Sequence, residues 1–211
     1  MSIQTELTRI TNAKAAIKTA IEGKGVTVPS DTLLDGMASL IESIEVGGGG
    51  ATEPYIEEVI DGNGDITNAT LHGYTIIRNN AFYNCSELAL ASLPSSLTSI
   101  GYNAFNNCTK LALASLPSSL TSIGNNAFSN CTNLALTRLP SSLTSIGNYA
   151  FSNCLGLDSL TFEGKPESIS KSAFKECTNL TTINVPWALG AVANAPWGAI
   201  NATINYNFPG A

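Results

Sequence analysis

A phenylalanine, followed three residues later by a cysteine, recurs five times in this chain at an interval of 23 residues. A unit this short cannot bury its own apolar side chains, so successive copies must stack and cover one another. The interval therefore predicts a solenoid in which these residues form two internal columns, and a function carried by the surface of the stack. The column residues are Phe82, Phe105, Phe128, Phe151, Phe174, Cys85, Cys108, Cys131, Cys154 and Cys177.

Five full repeats run over residues 71–185, and a degenerate copy at 186–211 is expected to cap the stack. The middle repeats share the segment PSSLTSIG, whose leucine and isoleucine, Leu97 and Ile100 in the first of them, should lie in the core. We assign to the glycine that ends this segment a turn that only glycine makes without strain. These glycines are Gly101, Gly124 and Gly147.

The apolar residues of positions 1–46 fall into two stripes, on either side of a break at 23–31. Alternating spacings of three and four predict amphipathic helices, and we interpret residues 1–46 as a helical hairpin. A segment of this size has too little surface for its own core, so it should pack against other copies or a docking partner, or else fold back on the repeats. The residues assigned to oligomerisation are Ile3, Leu7, Ile10, Ile17, Ile21, Leu33, Met37, Leu40 and Ile44.

Between the hairpin and the repeats lie a glycine-rich linker, residues 47–54, and a segment of alternating character, residues 55–70. The alternation surrounds turn residues and predicts a β-hairpin that caps the stack. Asp61, Asn63 and Asp65 have the oxygen spacing of a calcium loop, but the glycine and the closing glutamate of such a loop are absent. The predicted fold class is therefore α+β, a solenoid preceded by a helical hairpin, with no metal site.

The charge pattern excludes several classes of partner. The net charge is −6, and only four charged residues lie between positions 66 and 157, so there is no basic surface for a nucleic acid. No stretch approaches about 18 apolar residues, and the first residues do not resemble a signal peptide. The cysteines are odd in number and evenly dispersed, which indicates buried free thiols rather than disulfides.

Residues for chemistry are scarce. The chain has one histidine, His72, so neither a Ser/His/Asp nor a Cys/His arrangement with a second histidine is available. The cysteines lack the paired spacing of a zinc site, and no glycine-rich loop enters a helix as a phosphate cradle requires. We therefore predict no catalytic residue and no cofactor, and expect that the protein is not an enzyme.

The segments LTTINVP at 180–186 and IGNYAFSNC at 146–154 carry a recognisable pattern. It resembles the leucine-rich repeat of the BspA-like, Treponema-type class over about residues 66–208. The resemblance implies a curved leucine-rich repeat solenoid with a strand ladder on one face, used in adhesion and protein recognition.

The first three repeats depart from this pattern, with LALAS or LALTR in place of LTTIN. Strict alternation would point Leu90, Leu113 and Leu136 outward as a contact surface, whereas a small bulge would turn them into the core. Both alternatives remain open from the sequence. The candidate ligand-binding residues of this face are Leu90, Ser92, Leu113, Ser115, Leu136, Arg138, Ser159, Thr161, Thr182 and Asn184.

The two ends of the chain resemble tail, baseplate or receptor-binding proteins of phages and prophages from Gram-positive gut bacteria. This resemblance implies a virion component, assembled in the bacterial cytoplasm, that binds other virion proteins through its hairpin as a homo-oligomer, with a trimer favoured. The expected ligand is a bacterial cell-surface protein or carbohydrate, and Tyr102 and Tyr149 are candidates for stacking on sugars. The alternatives are a structural spacer of the virion and an adhesin at the bacterial cell surface.

Overall fold

The computed structural model describes the backbone of residues 55–60 and all atoms of residues 65–90 and 92–209. These residues belong to a compact unit that spans Thr52–Ala211, and they form strands and turns without a helix. The helical hairpin expected at 1–46 and the linker expected at 47–54 lie outside the described residues.

An antiparallel strand pair opens the described region. Strand β1, Tyr55–Ile60, pairs with β2, Ile66–His72. β2 contributes Leu71 to the buried core, and its Thr67 carbonyl accepts a hydrogen bond of 2.9 Å from the amide of Ala89. The pair therefore lies against the first repeat, at the amino-terminal end of the stack.

One parallel ladder, the isoleucine ladder, is built from the TSIG segments. Its five strands are hydrogen-bonded in the order β3, β4, β5, β7 and β9, and paired residues are 23 positions apart. In each strand an isoleucine points into the core. The strands are β3 (Ile76–Ile77), β4 (Ser99–Ile100), β5 (Ser122–Ile123), β7 (Ser145–Ile146) and β9 (Ser168–Ile169).

A second parallel ladder, the polar ladder, is confined to the later repeats. Its strands are hydrogen-bonded in the order β6, β8, β10 and β11, starting from the amino-terminal side. The step is 23 residues from β6 to β8 and from β8 to β10, but only 21 from β10 to β11. The strands are β6 (Arg138–Leu139), β8 (Ser159–Phe162), β10 (Thr182–Asn184) and β11 (Thr203–Asn205).

The two predicted internal columns are present. Consecutive phenylalanine rings from Phe82 to Phe174 stack with centroids 5.2–5.4 Å apart and planes within 7° of parallel. The column ends at Trp197, which is fully buried and whose carbonyl accepts a hydrogen bond of 2.9 Å from the Phe174 amide. Stacking of the 23-residue units is therefore confirmed, and the degenerate segment supplies a further turn.

The cysteine column consists of free thiols, as predicted. Cys108, Cys131, Cys154 and Cys177 each donate a hydrogen bond of 2.9–3.1 Å to the carbonyl of the phenylalanine 26 residues earlier. Burial raises the pKa of the Cys131 thiol to about 12 and that of Cys177 to about 11. The pKa values of the other two buried thiols are also raised, mainly by burial.

The repeat glycines serve a purpose other than the one expected from the sequence. They do not adopt positive φ; the left-handed positions in the same turns belong to asparagines such as Asn103 (φ 55°) and Asn107 (φ 64°). A Cβ atom on Gly147 would lie 2.6 Å from the backbone nitrogen of Asn125 in the preceding repeat. The prediction of a strained glycine turn is therefore wrong: glycine allows close approach of neighbouring turns, and asparagine tolerates the left-handed conformation.

Candidate functional site

The leucines of the LALAS segments point into the core. Leu90, Leu113 and Leu136 are 2%, 0% and 1% exposed, whereas Ala114 and Thr137 beside them are exposed. The bulge alternative is therefore confirmed, and an exposed leucine row is wrong. These three leucines are removed from the candidate ligand-binding surface.

The chain changes its inward-facing positions between the third and fourth repeats. Leu136 is buried but Ser159, one period later, is exposed, while exposed Thr137 is followed by buried Leu160. In the third repeat two exposed residues separate Leu136 from the next buried leucine, whereas β8 alternates strictly. Strict alternation lets a strand pair over several residues, which explains why the polar ladder widens only from β8 onward.

One outer column nevertheless continues through all of these repeats. Its side chains follow one another at 23-residue steps and remain polar throughout. The first three are exposed, and the last two are half-buried between their neighbours on the ladder. The column consists of Ser92, Ser115, Arg138, Thr161 and Asn184.

Hydrogen bonds and one ion pair tie the carboxy-terminal part of this column together. The Asn184 Nδ2 donates to Thr161 Oγ1 at 3.1 Å, and the Asn205 Nδ2 donates to Asn184 Oδ1 at 2.8 Å. The Arg138 Nη1 lies 3.5 Å from Glu163 Oε1, with both side chains solvent-accessible. The column is thus a connected polar surface whose remaining donors and acceptors face solvent.

A second, shorter column lies beside it. Ser159 pairs with Thr182, and Thr182 pairs with Thr203, along β8, β10 and β11. Thr203 and Asn205 were missed by the count of 23 residues, because the last step is 21. The recurrence of TIN at 182–184 and 203–205 is the sequence signal that would have identified them.

The two tyrosines named from the sequence have different surroundings. Tyr102 is 46% exposed. Tyr149 is half-buried, and the Lys175 Nζ lies 5.6 Å from the centroid of its ring. One face of Tyr149 is therefore occupied by an intramolecular cation.

The part of the chain that the structure describes holds no group of three or more His, Cys, Asp or Glu side chains able to bind a metal. It also has no helix long and apolar enough to cross a membrane. The raised pKa values keep the column thiols protonated and unreactive at neutral pH, because the thiolate is the nucleophile.

Comparison with known proteins agrees with this geometry. A family model for the BspA type leucine rich repeat region matches residues 66–195 in six copies. The chain is similar to a leucine-rich repeat protein of T. pallidum of known crystal structure, with 27% identity and a TM-score of 0.52 over 73% of this chain and 80% of that chain. A leucine-rich repeat protein from Bacteroides ovatus shows 21% identity and a TM-score of 0.41 over 66% of this chain and 48% of that chain. No curated protein matches the sequence.

Proposed function

Because this chain belongs to the BspA-type leucine-rich repeat family, we propose that it is a non-enzymatic binding protein. It recognises a protein or carbohydrate of a bacterial surface through the polar ladder. The observation that carries this proposal is the ladder itself, in which every strand from β8 onward turns polar side chains outward in register. Such a surface offers many hydrogen-bonding groups on a rigid frame, which limits the entropy lost on binding.

The proposed setting is a phage or prophage virion, in which residues 1–46 attach the protein to other virion proteins or assemble it as a trimer. The resemblance of the chain ends to tail and baseplate proteins supports this setting. Several linked copies would hold a host through weak individual sites, because the effective concentration of the second site is high. A gene located among tail and lysis genes would favour the virion over a bacterial surface adhesin.

The binding function is tested with the full chain, fluorescently labelled, on Gram-positive gut bacteria and on their purified cell walls. Thr161→Lys and Asn184→Lys place long charged side chains in the middle of the polar column, so each should weaken binding about tenfold or more, equivalent to about 1.4 kcal/mol. Asn133→Lys introduces the same side chain at an exposed site outside the ladder and should leave binding unchanged. Equal binding by all three variants would instead favour a structural spacer.

A further inference from the structure

A groove of about 480 Å³ runs along the isoleucine ladder, on residues distinct from those of the polar ladder. It crosses the stack from Asn79 in the first repeat to Ser168 in the fifth. Each strand of the ladder from β4 to β9 contributes one serine to its lining. These serines follow one another at the spacing of neighbouring strands, about 4.8 Å.

The lining carries no formally charged side chain. A polyanion such as a nucleic acid or a phosphate-rich polymer would need cations to replace its counterions, so this groove does not suit one. The backbone beneath the groove is also engaged: the Gly124 amide donates to the Ile100 carbonyl at 2.8 Å, and the Gly147 amide donates to the Ile123 carbonyl at 2.9 Å. An extended peptide would therefore find no free strand edge here.

The side chains of the groove, in contrast, retain free hydrogen-bonding groups. The Ser122 hydroxyl donates to Ser99 Oγ at 2.9 Å, but those of Ser145 and Ser168 have no hydrogen bond within the described residues. The Asn125 Oδ1 accepts from the Asn148 amide at 2.7 Å, which leaves its Nδ2 available as a donor. The groove thus presents neutral donors and acceptors along its length.

One aromatic ring lies at the amino-terminal half of this groove. Tyr102 occupies the position that is asparagine in the preceding and following repeats, and its side chain is 46% exposed. Ile76, which pairs with Ser99, is 52% exposed next to the serine row. An exposed ring beside an exposed aliphatic side chain gives a flat apolar surface of the kind on which the C–H face of a sugar ring packs.

We propose that this groove binds a linear, neutral oligosaccharide that lies along the stack. Tyr102 packs against one sugar ring, and the serine hydroxyls and the Asn125 amide bond to the hydroxyls of the following rings. A polymer of identical units suits a groove whose hydroxyls recur at each strand. The inference goes beyond the proposed function, because it concerns a different face of the solenoid and names the ligand class.

The test is calorimetric titration of the full chain with chitohexaose, cellohexaose and maltohexaose, and with the corresponding trisaccharides. We expect at least one hexasaccharide to bind, more tightly than its trisaccharide and with an affinity independent of salt, because the groove spans five strands and is uncharged. Tyr102→Ala should weaken this binding about tenfold. Ser145→Ala should weaken it roughly 2- to 10-fold, as for one neutral hydrogen bond.

Tyr83→Ala is the matched control, since Tyr83 is also 46% exposed but does not line the groove. It should leave oligosaccharide binding unchanged, and the melting temperature of each variant shows that it is folded. Failure of all three hexasaccharides to bind, or equal losses from Tyr83→Ala and Tyr102→Ala, would overturn the proposal. Thr161→Lys should retain oligosaccharide binding, so failure of this inference is distinguishable from failure of the polar-ladder proposal.

Discussion

At the scale of single residues, the buried thiols illustrate how the repeat satisfies polar atoms in its core. The Cys131 thiol donates to the Phe105 carbonyl at 3.0 Å, so the sulfur is both packed and hydrogen-bonded. A buried polar group without a partner costs about 1–3 kcal/mol. Cysteine can thus occupy a small core site while it caps a carbonyl that the turn leaves unpaired.

The raised thiol pKa values predict a loss of stability in alkali. The Cys131 thiol has a pKa of about 12 in the folded chain against 9.0 as its ordinary value, so above pH 9 the unfolded chain releases a proton that the folded chain keeps. Stability contributed by this thiol is complete below pH 9 and falls as the pH rises towards 12. Urea unfolding between pH 8 and 11 should show a shallower fall for Cys131→Ala than for the natural chain. Parallel slopes would contradict the burial of this thiol.

At the scale of the element, the LALAS segments show how one residue changes the face of a strand. Leu113 and Leu116 are buried, and the two residues between them, Ala114 and Ser115, are both exposed. A side-chain period of two cannot produce that pattern, so the segment departs from a regular strand. The change moves the leucines into the core of the first three repeats.

This register is tested by one charge placed at two adjacent positions. Leu113→Asp buries a carboxylate and leaves a cavity, so it should destabilise the solenoid by at least about 3 kcal/mol. Ala114→Asp places the same side chain in solvent and should change stability by no more than about 0.5 kcal/mol. Chemical denaturation of both variants measures the difference. Tolerance of Leu113→Asp would restore the outward-facing leucine.

The sequence allowed the stack and its internal columns to be predicted, because residues one period apart must become neighbours in a solenoid. It could not decide the direction of Leu113, since alternation leaves the phase open wherever a bulge is possible. The function of Gly147 was also inaccessible, because it depends on a 2.6 Å approach to Asn125 that only the assembled stack creates. Asn205 was missed because the last step shortens to 21 residues.

At the scale of the whole molecule, the described solenoid contains its own core. Buried apolar side chains form one cluster that extends from Ala69 to Ala199, from β2 to the last turn. A body with a continuous core of this extent does not depend on a distant segment for its fold. Assembly, in contrast, is assigned to the stripes of residues 1–46, so folding and oligomerisation should be separable.

Deletion of residues 1–46 should therefore leave a cooperatively melting solenoid that light scattering measures as a single chain, whereas the full chain should scatter as a trimer. Ile17→Asp with Ile21→Asp in the full chain is the matched control, because it disrupts one stripe without removing any residue. It should lower the multiplicity in the same way while the melting of the repeats is retained. If the truncated protein keeps the multiplicity of the full chain, the solenoid itself is the assembling element, and the polar ladder or the open edge of β11 becomes the surface to examine.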